Sequence, residues 1–182
     1  MNLVITISGL HGTGKSTYAK ELAKEFGLRY ISAGIIFRQI AAERGVTLEE
    51  LSRIAVKDKR IDRLIDKQTV DEARKGSAVL DGHLAGWMAR EYADIKIFLT
   101  APTNIRAQRI AKRDNLSTKE AARQLLTIER IERGRWKKFY KIDPSSNQIY
   151  DIVINTGLFS LDCTLKILKE IIRKCILSKQ GA

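Results

Sequence analysis

The chain is poor in several residue types, and each shortage removes a class of protein. Of its 182 residues two are cysteine, two proline and two histidine. Cys163 and Cys175 fall twelve positions apart on a predicted helix, roughly 18 Å along its axis, which no disulfide spans. A disulfide-built secreted domain is excluded, and two core thiols of a reducing compartment are expected. Two prolines beside twelve glycines leave no composition for a long linker. No apolar run approaches the ~18 residues of a membrane span. The first predicted strand starts two residues after Met1, which leaves no signal peptide ahead of it, so a cytoplasmic chain is expected. His83 has a single companion histidine, too few partners for a zinc site. Acids are scarce against bases, and the net charge of +12 favours an anionic partner, whether phosphate, nucleic acid or a membrane surface.

What is present starts with one stretch. The apolar run Leu3-Val4-Ile5-Thr6-Ile7 stops at Ser8-Gly9-Leu10-His11-Gly12-Thr13-Gly14-Lys15-Ser16-Thr17, which reads as strand, glycine loop and helix start. Gly9-x4-Gly14-Lys15-Ser16 is the spacing of a phosphate-binding loop. Glycines let backbone N–H groups turn inward toward a phosphate that a Cβ would obstruct. The following helix offers its free N-terminal donors and roughly half a positive charge to the same anion. Lys15 then reaches the β- and γ-phosphates as a mobile charge, and the Ser16 hydroxyl is placed to ligate Mg²⁺. Gly9 through Thr17 are therefore the nucleotide-holding residues, and ATP with Mg²⁺ is the implied cofactor set.

Further along, Tyr18, Leu22, Ala23 and Phe26 keep helical spacing up to Gly27, and Leu28 to Ile31 is a short strand. A helix opens at Ser32 and runs to about Arg44. Thr47 to Glu50 is a capping box before another, and Ile61, Leu64, Ile65 and Ala73 mark one more. Ala78-Val79-Leu80-Asp81 is a buried strand that ends in a carboxylate, with Gly82 next. In a phosphate-loop fold a parallel strand ending this way sets its acid beside the metal, so Asp81 joins Ser16 as a metal residue; a turn-forming Asp-Gly pair is the plainer reading. Ile95 to Thr100 is the next strand, with Thr103 as the expected cap of the helix after it. Tyr150 to Asn155 is the last strand, and a helix from Ser160 closes the chain. Strands alternate with helices throughout, so a parallel sheet covered on both faces is expected, with ligands beyond the carboxyl ends of its strands.

The charge is not spread evenly. Arg106 to Lys141 contains twelve basic residues against four acids, so this short segment holds +8 of the +12. It is either a solvated or nucleic-acid-binding surface, or an arginine-rich helical lid that closes over a triphosphate and stabilises the transferring group. Arg106, Arg109 and Arg113 fall on one helix face, and Ser117-Thr118-Lys119-Glu120 is a second capping box; a helical hairpin with arginines at both ends favours the lid. No Asn-Lys-x-Asp and no Asp-x-x-Gly sequence is present, which argues against a signalling GTPase, and the chain is small for a helicase or transporter ATPase. A small kinase remains.

On these residues the chain resembles the nucleoside monophosphate kinases. Ser32-Ala33-Gly34-Ile35-Ile36-Phe37-Arg38 is similar to the segment with which adenylate kinases hold the acceptor nucleotide, and Arg38 matches their acceptor-phosphate arginine. Asp81-Gly82-His83-Leu84-Ala85-Gly86-Trp87-Met88, Arg109 with Arg113, and Tyr140-x-x-Asp143 with the Tyr150 to Thr156 strand are closer to the archaeal-type cytidylate kinases. His83 stands where that family typically has arginine, and Asp81 where it often has glutamate. The resemblance implies a P-loop nucleoside-kinase-like α/β/α sandwich around a five-stranded parallel sheet. It implies a single kinase domain over 1–182, with a core of 1–31, 77–105 and 142–182, acceptor-binding helices in 32–76 and a lid of about 106–141. It implies transfer of the ATP γ-phosphate to CMP, with dCMP as a further acceptor, and Mg²⁺ present. Ser32, Ala33, Arg38, Asp81, Gly82 and His83 would line the acceptor, with Ser32, Gln68 and Asp66 as candidates to touch the base. Lys15, Arg109, Arg113, Arg130 and Arg135 would gather transition-state charge. An adenylate or other small-molecule kinase, and an ATP-gated RNA-binding module resting on the +8 segment, are the rival readings. Neither a membrane nor a nucleic-acid partner is expected, and the pattern does not choose between monomer and homo-oligomer.

Overall fold

A strand with helices on both faces loses contact with water along its whole length, and the first strand does so even at Thr6 and Ser8. In the computed structural model, which describes residues 2–143, 146 and 148–180, β1 (Val4–Gly9) is buried along its whole length. It is the middle strand of a parallel sheet completed by β2 (Arg29–Ser32), β3 (Ala78–Asp81), β4 (Ile95–Thr100) and β5 (Ile152–Asn155) in the order β2-β3-β1-β4-β5. The fold is the expected α/β sandwich.

Two helices, α1 (Lys15–Glu25) and α8 (Leu161–Gln180), cover one face, where Ile5, Ile7, Tyr18, Leu22, Leu168 and Ile172 interdigitate. On the other face α4 (Lys59–Arg74) and the short α5 (Ala85–Met88) bury Val4, Leu80, Ala73 and Ala85. Sequence reading does not anticipate α5: four residues carry no period.

Two further clusters stand apart from the sheet. Ile36, Ile40, Leu51, Ala55 and Ile61 join α4 to α2 (Ala33–Glu43) and α3 (Leu48–Lys57). Ala107, Ile110, Ala121 and Leu125 join α6 (Thr103–Asp114) to α7 (Thr118–Tyr140). The trio and the pair thus each have their own small core, the prerequisite for moving as a unit.

Helix starts follow their caps. Thr47 N–H donates to Glu50 Oε2 (2.8 Å) and Glu50 N–H to Thr47 Oγ1 (3.1 Å), the reciprocal box that starts α3. Ser117 caps α7 by accepting from Glu120 N–H (3.2 Å). The expected cap at Thr103 is not realised: Pro102 occupies that position, and the Thr103 hydroxyl accepts from Arg106 Nη2 (3.3 Å) instead. Cys163 is exposed and Cys175 half-buried, so the expected pair of core thiols is corrected too; helical period places Cys163 on the outer side of the first turn of α8. No described helix is long and apolar enough to cross a membrane.

The sheet's register sets up the site. Ser32 of β2, Asp81 of β3 and Ile7 of β1 lie level, so Ser32 and Asp81 end their strands below the loop that follows β1.

Candidate functional site

Glycine builds the first wall of the site because no other residue fits. Gly9, Gly12 and Gly14 have φ of 142°, 75° and 90°. A Cβ on Gly9 would sit 2.2 Å from the Leu99 carbonyl oxygen, and one on Gly12 2.7 Å from that of Arg106. The loop is folded tightly over the ends of β4 and α6, and α1 begins without a side-chain cap, so its first N–H groups stay available to a ligand. Lys15 Nζ donates to the Leu10 carbonyl (2.9 Å). Burial lowers the Lys15 pKa to about 8, opposed by the carboxylates of Asp81, Glu132 and Glu129. An anionic ligand would restore full charge to this ammonium.

Asp81 forms the floor. Its Oδ2 accepts from Ser16 Oγ (2.7 Å), Tyr30 OH (2.8 Å) and Ser32 Oγ (3.2 Å). Ser16 and Asp81 thus offer adjacent hard oxygens, the donor type Mg²⁺ takes when most of its shell is water and phosphate. Asp81 and Gly82 lie under Ala33, and a Cβ on Gly82 would come within 2.9 Å of the Ala33 methyl. The glycine at 82 is thus a packing requirement of the methyl at 33.

The second wall is made of side chains. A cleft of about 530 Å³ runs from the loop to Asp62, Ile65, Asp66 and Thr69 of α4 and to Ile128, Glu132, Arg135, Trp136 and Tyr140 of α7. Asp62 and Asp66 are one turn apart on a single face. Arg135 and Asp62 are both buried and face each other at 3.3 Å. Neither Asp62 Oδ2 nor Arg135 Nη1 has a hydrogen-bond partner. Burial raises the Asp62 pKa despite the pull of Arg135. Asp66 is pushed up to about 6, again chiefly by burial, while it accepts a hydrogen bond from the Tyr140 hydroxyl; burial first, and then that contact, raises the Tyr140 phenol.

Of the sequence candidates, His11, Gly12, Gly14, Lys15, Ser16, Thr17, Ser32, Ala33, Arg38, Asp81, Gly82, His83, Arg109, Arg113 and Arg135 line this cleft. Gly9, Leu10 and Thr13 stand behind it as the loop's frame. Arg38 is exposed at the mouth. Arg130 is the clear departure: it is exposed and borders a separate shallow depression with Thr103, Leu126 and Arg133. Five residues before Arg135, it points about 140° away around α7. Gln68 is likewise exposed and off the cleft.

Nor is the +8 segment a single basic surface. Arg106 is buried, donating to the His11 carbonyl (3.0 Å) and the Ala101 carbonyl (3.1 Å) and pairing with buried Glu129. Arg109 donates to the Thr156 carbonyl (2.6 Å) and hydroxyl (2.9 Å), tying α6 to the end of β5. Arg113 is held by its neighbour Asp114 at 2.7 Å. Composition could not show this division, although Glu129 and Glu132, three apart among so many bases, were a usable hint of inward pairing.

His83 lies against His11, ring centroids 4.2 Å apart, and against Trp136 at 5.4 Å. Its pKa falls well below the ordinary value through burial, then the nearby charge of Lys15, so it is a neutral ring at neutral pH. His11 in turn bonds Glu132 at 2.8 Å. The histidine pair that looked too small for a metal therefore has a third member contributed by α7.

Comparison with known proteins agrees with this geometry. Among solved structures, the shikimate kinases of Bacteroides thetaiotaomicron and Acinetobacter baumannii share the fold, with TM-scores of 0.62 and 0.57 at 15% and 18% identity, over 94% of this chain and 98% and 94% of theirs. Sequence relatives are nearer. The cytidylate kinase of Staphylothermus marinus is 49% identical over 94% of this chain and 97% of its own, and that of Ignicoccus hospitalis 46% identical over 93% and 98%. The cytidylate kinase-like family model spans residues 4–158, which takes in the loop, the Asp81 floor and both helices that carry the second wall. With both walls inside that match, the chain belongs to the cytidylate kinase-like family.

Proposed function

We propose that this protein transfers the γ-phosphoryl group of ATP to CMP, and also to dCMP, in line and without a covalent intermediate. The observation that carries the reading is one cleft with a polyphosphate loop at one end and, at the other, the buried Asp62–Arg135 ion pair, whose Asp62 Oδ2 and Arg135 Nη1 make no hydrogen bond. Cytosine presents an N4 amino donor beside the N3 and O2 acceptors. A carboxylate next to a guanidinium matches that order, whereas uracil sets a carbonyl against the carboxylate. Asp66 and Thr69 lie along the same wall.

Lys15 and the loop amides hold the donor phosphates, with Nζ leaving the Leu10 carbonyl to do so. Ser16 and Asp81 hold Mg²⁺ directly or through water. When bound, the ion neutralises charge on the β- and γ-oxygens. Arg38, at the mouth, holds the acceptor phosphate. Arg109 and Arg113 reach in from the α6–α7 hairpin, which acts as the lid and excludes water from the transferring group, while Arg135 of the same hairpin serves the base end of the cleft. Small-molecule substrates of this kind, with no membrane-spanning helix among the described residues, fit a cytoplasmic enzyme.

The test is initial rates with Mg²⁺-ATP against a panel of monophosphates. Each unmade buried hydrogen bond to the wrong base is worth about 1–3 kcal/mol, so kcat/KM for CMP should exceed that for AMP by at least about tenfold. Parity, or preference for AMP, overturns the acceptor assignment.

A further inference from the structure

Three ligating side chains converge from three separate segments at the edge of the cleft. His11 comes from the phosphate loop, His83 from the turn after β3, and Glu132 from α7; their ligand atoms all lie within 4.8 Å of one another. His11 Nε2 is 2.8 Å from Glu132 Oε2, and His83 packs against His11. Two donors on a tetrahedral zinc ion are about 3.4 Å apart, a spacing that small side-chain rotations reach from here.

His83 decides what kind of ligand the cluster suits. Its ring makes a hydrogen bond to the Gly9 backbone, while its Nδ1 is buried without a partner. With the ring's N–H on Nε2 for that backbone bond, Nδ1 offers a lone pair; phosphate, which offers only acceptors, gives it nothing, and a cation does. Glu132 adds a negative charge at the same point, against the opposing charges of Lys15 and Arg135 nearby.

We propose that His11, His83 and Glu132 bind one divalent transition-metal ion of the Zn²⁺ type, with water as fourth ligand. This is the imidazole-rich N/O donor set that zinc takes. The ion replaces the proton between His11 Nε2 and Glu132, and that proton moves to His11 Nδ1 or to solvent. Because the ligands belong to different segments, the ion ties α7 to the phosphate loop across the cleft.

The test uses the full chain, untagged and free of nucleotide and Mg²⁺, titrated with Zn²⁺ in competition with a chromophoric chelator. One ion per chain is expected. His11→Asn, His83→Gln and Glu132→Gln should each weaken binding at least about tenfold, while the Cys163→Ser/Cys175→Ser double variant keeps wild-type affinity. Thermal unfolding should shift upward with Zn²⁺ in the wild type and much less in Glu132→Gln. Two histidines in the whole chain also allow a direct readout without any variant: both imidazole NMR signals must move on addition of Zn²⁺. No stoichiometric binding, unmoved imidazole signals, equal affinity in the folded ligand variants, or loss in the cysteine variant overturns the proposal.

Discussion

The two walls of the cleft are built from different parts of the amino acid. The phosphate wall is backbone: its shape comes from three glycines at positive φ, and its only obligatory side chains are Lys15 and Ser16. The far wall is side chain: Asp62, Asp66, Arg135 and Tyr140 reach in from α4 and α7, and half of them are charged groups removed from water. A backbone site is stable without its ligand because its donors also serve the fold. A site of buried charges depends on each partner for the others' stability, so specificity and folding are coupled there.

That contrast is broken most forcefully at Arg135. Removing one member of a buried ion pair leaves the other uncompensated, at a cost of about 3–5 kcal/mol, so Arg135→Met should lower the urea midpoint sharply. The double variant Asp62→Leu/Arg135→Met should recover most of that stability and still lose preference for CMP. If Arg135→Met unfolds like the wild type, the pair carries no structural weight and the contrast fails.

Lys15→Met is the converse. It removes charge from the transferring phosphoryl and should lower kcat by at least ~10²-fold. Stability should barely change, because this lysine is already disfavoured as a cation by burial. A folded Lys15→Met protein with near wild-type turnover removes the loop from the chemistry.

Arg38→Ala should act on one substrate alone. The residue is exposed at the acceptor end of the cleft, so KM for CMP should rise roughly tenfold or more, the worth of a charge-assisted contact, with KM for ATP nearly unchanged. An equal rise for ATP would show that α2 serves both substrates.

The same division explains what could be read in advance. Gly9, Gly14, Lys15 and Ser16 keep a fixed spacing because one continuous turn makes the loop, and Asp81 is found by ending a strand; both signals are local. Asp62 and Arg135 lie more than seventy positions apart and meet only because α7 packs against α3, beside α4. Periodicity marks an apolar stripe but cannot say that a charged residue beside it turns inward, so it neither separates Arg130 from Arg135 nor shows that Arg106 is buried against Glu129. Thr103 lost its cap because Pro102 already supplies a suitable φ and the hydroxyl has Arg106 to serve. His11, His83 and Glu132 fall in the same category: no local pattern in the chain says that the three meet.

The smallest effect concerns pH at the far wall. Asp66 has its pKa raised from 3.8 to about 6, mainly by burial, with the Tyr140 hydroxyl bond pulling the other way. In this window the folded state holds a proton that the unfolded chain has released. The protonated carboxyl's contribution to stability is therefore fully present below the unfolded value, near pH 4, and is lost as pH rises through about 6. At a half-buried, screened position about 1–2 kcal/mol of that is expected to survive. Asp66→Asn cannot ionise, so the gap in unfolding free energy between wild type and variant should tilt in its favour as pH rises from 4 to 7. Denaturant unfolding at four or five pH values measures it. A gap independent of pH would mean that Asp66 is as well solvated as the carboxylates outside the cleft, and the far wall would then be wetter than its geometry indicates.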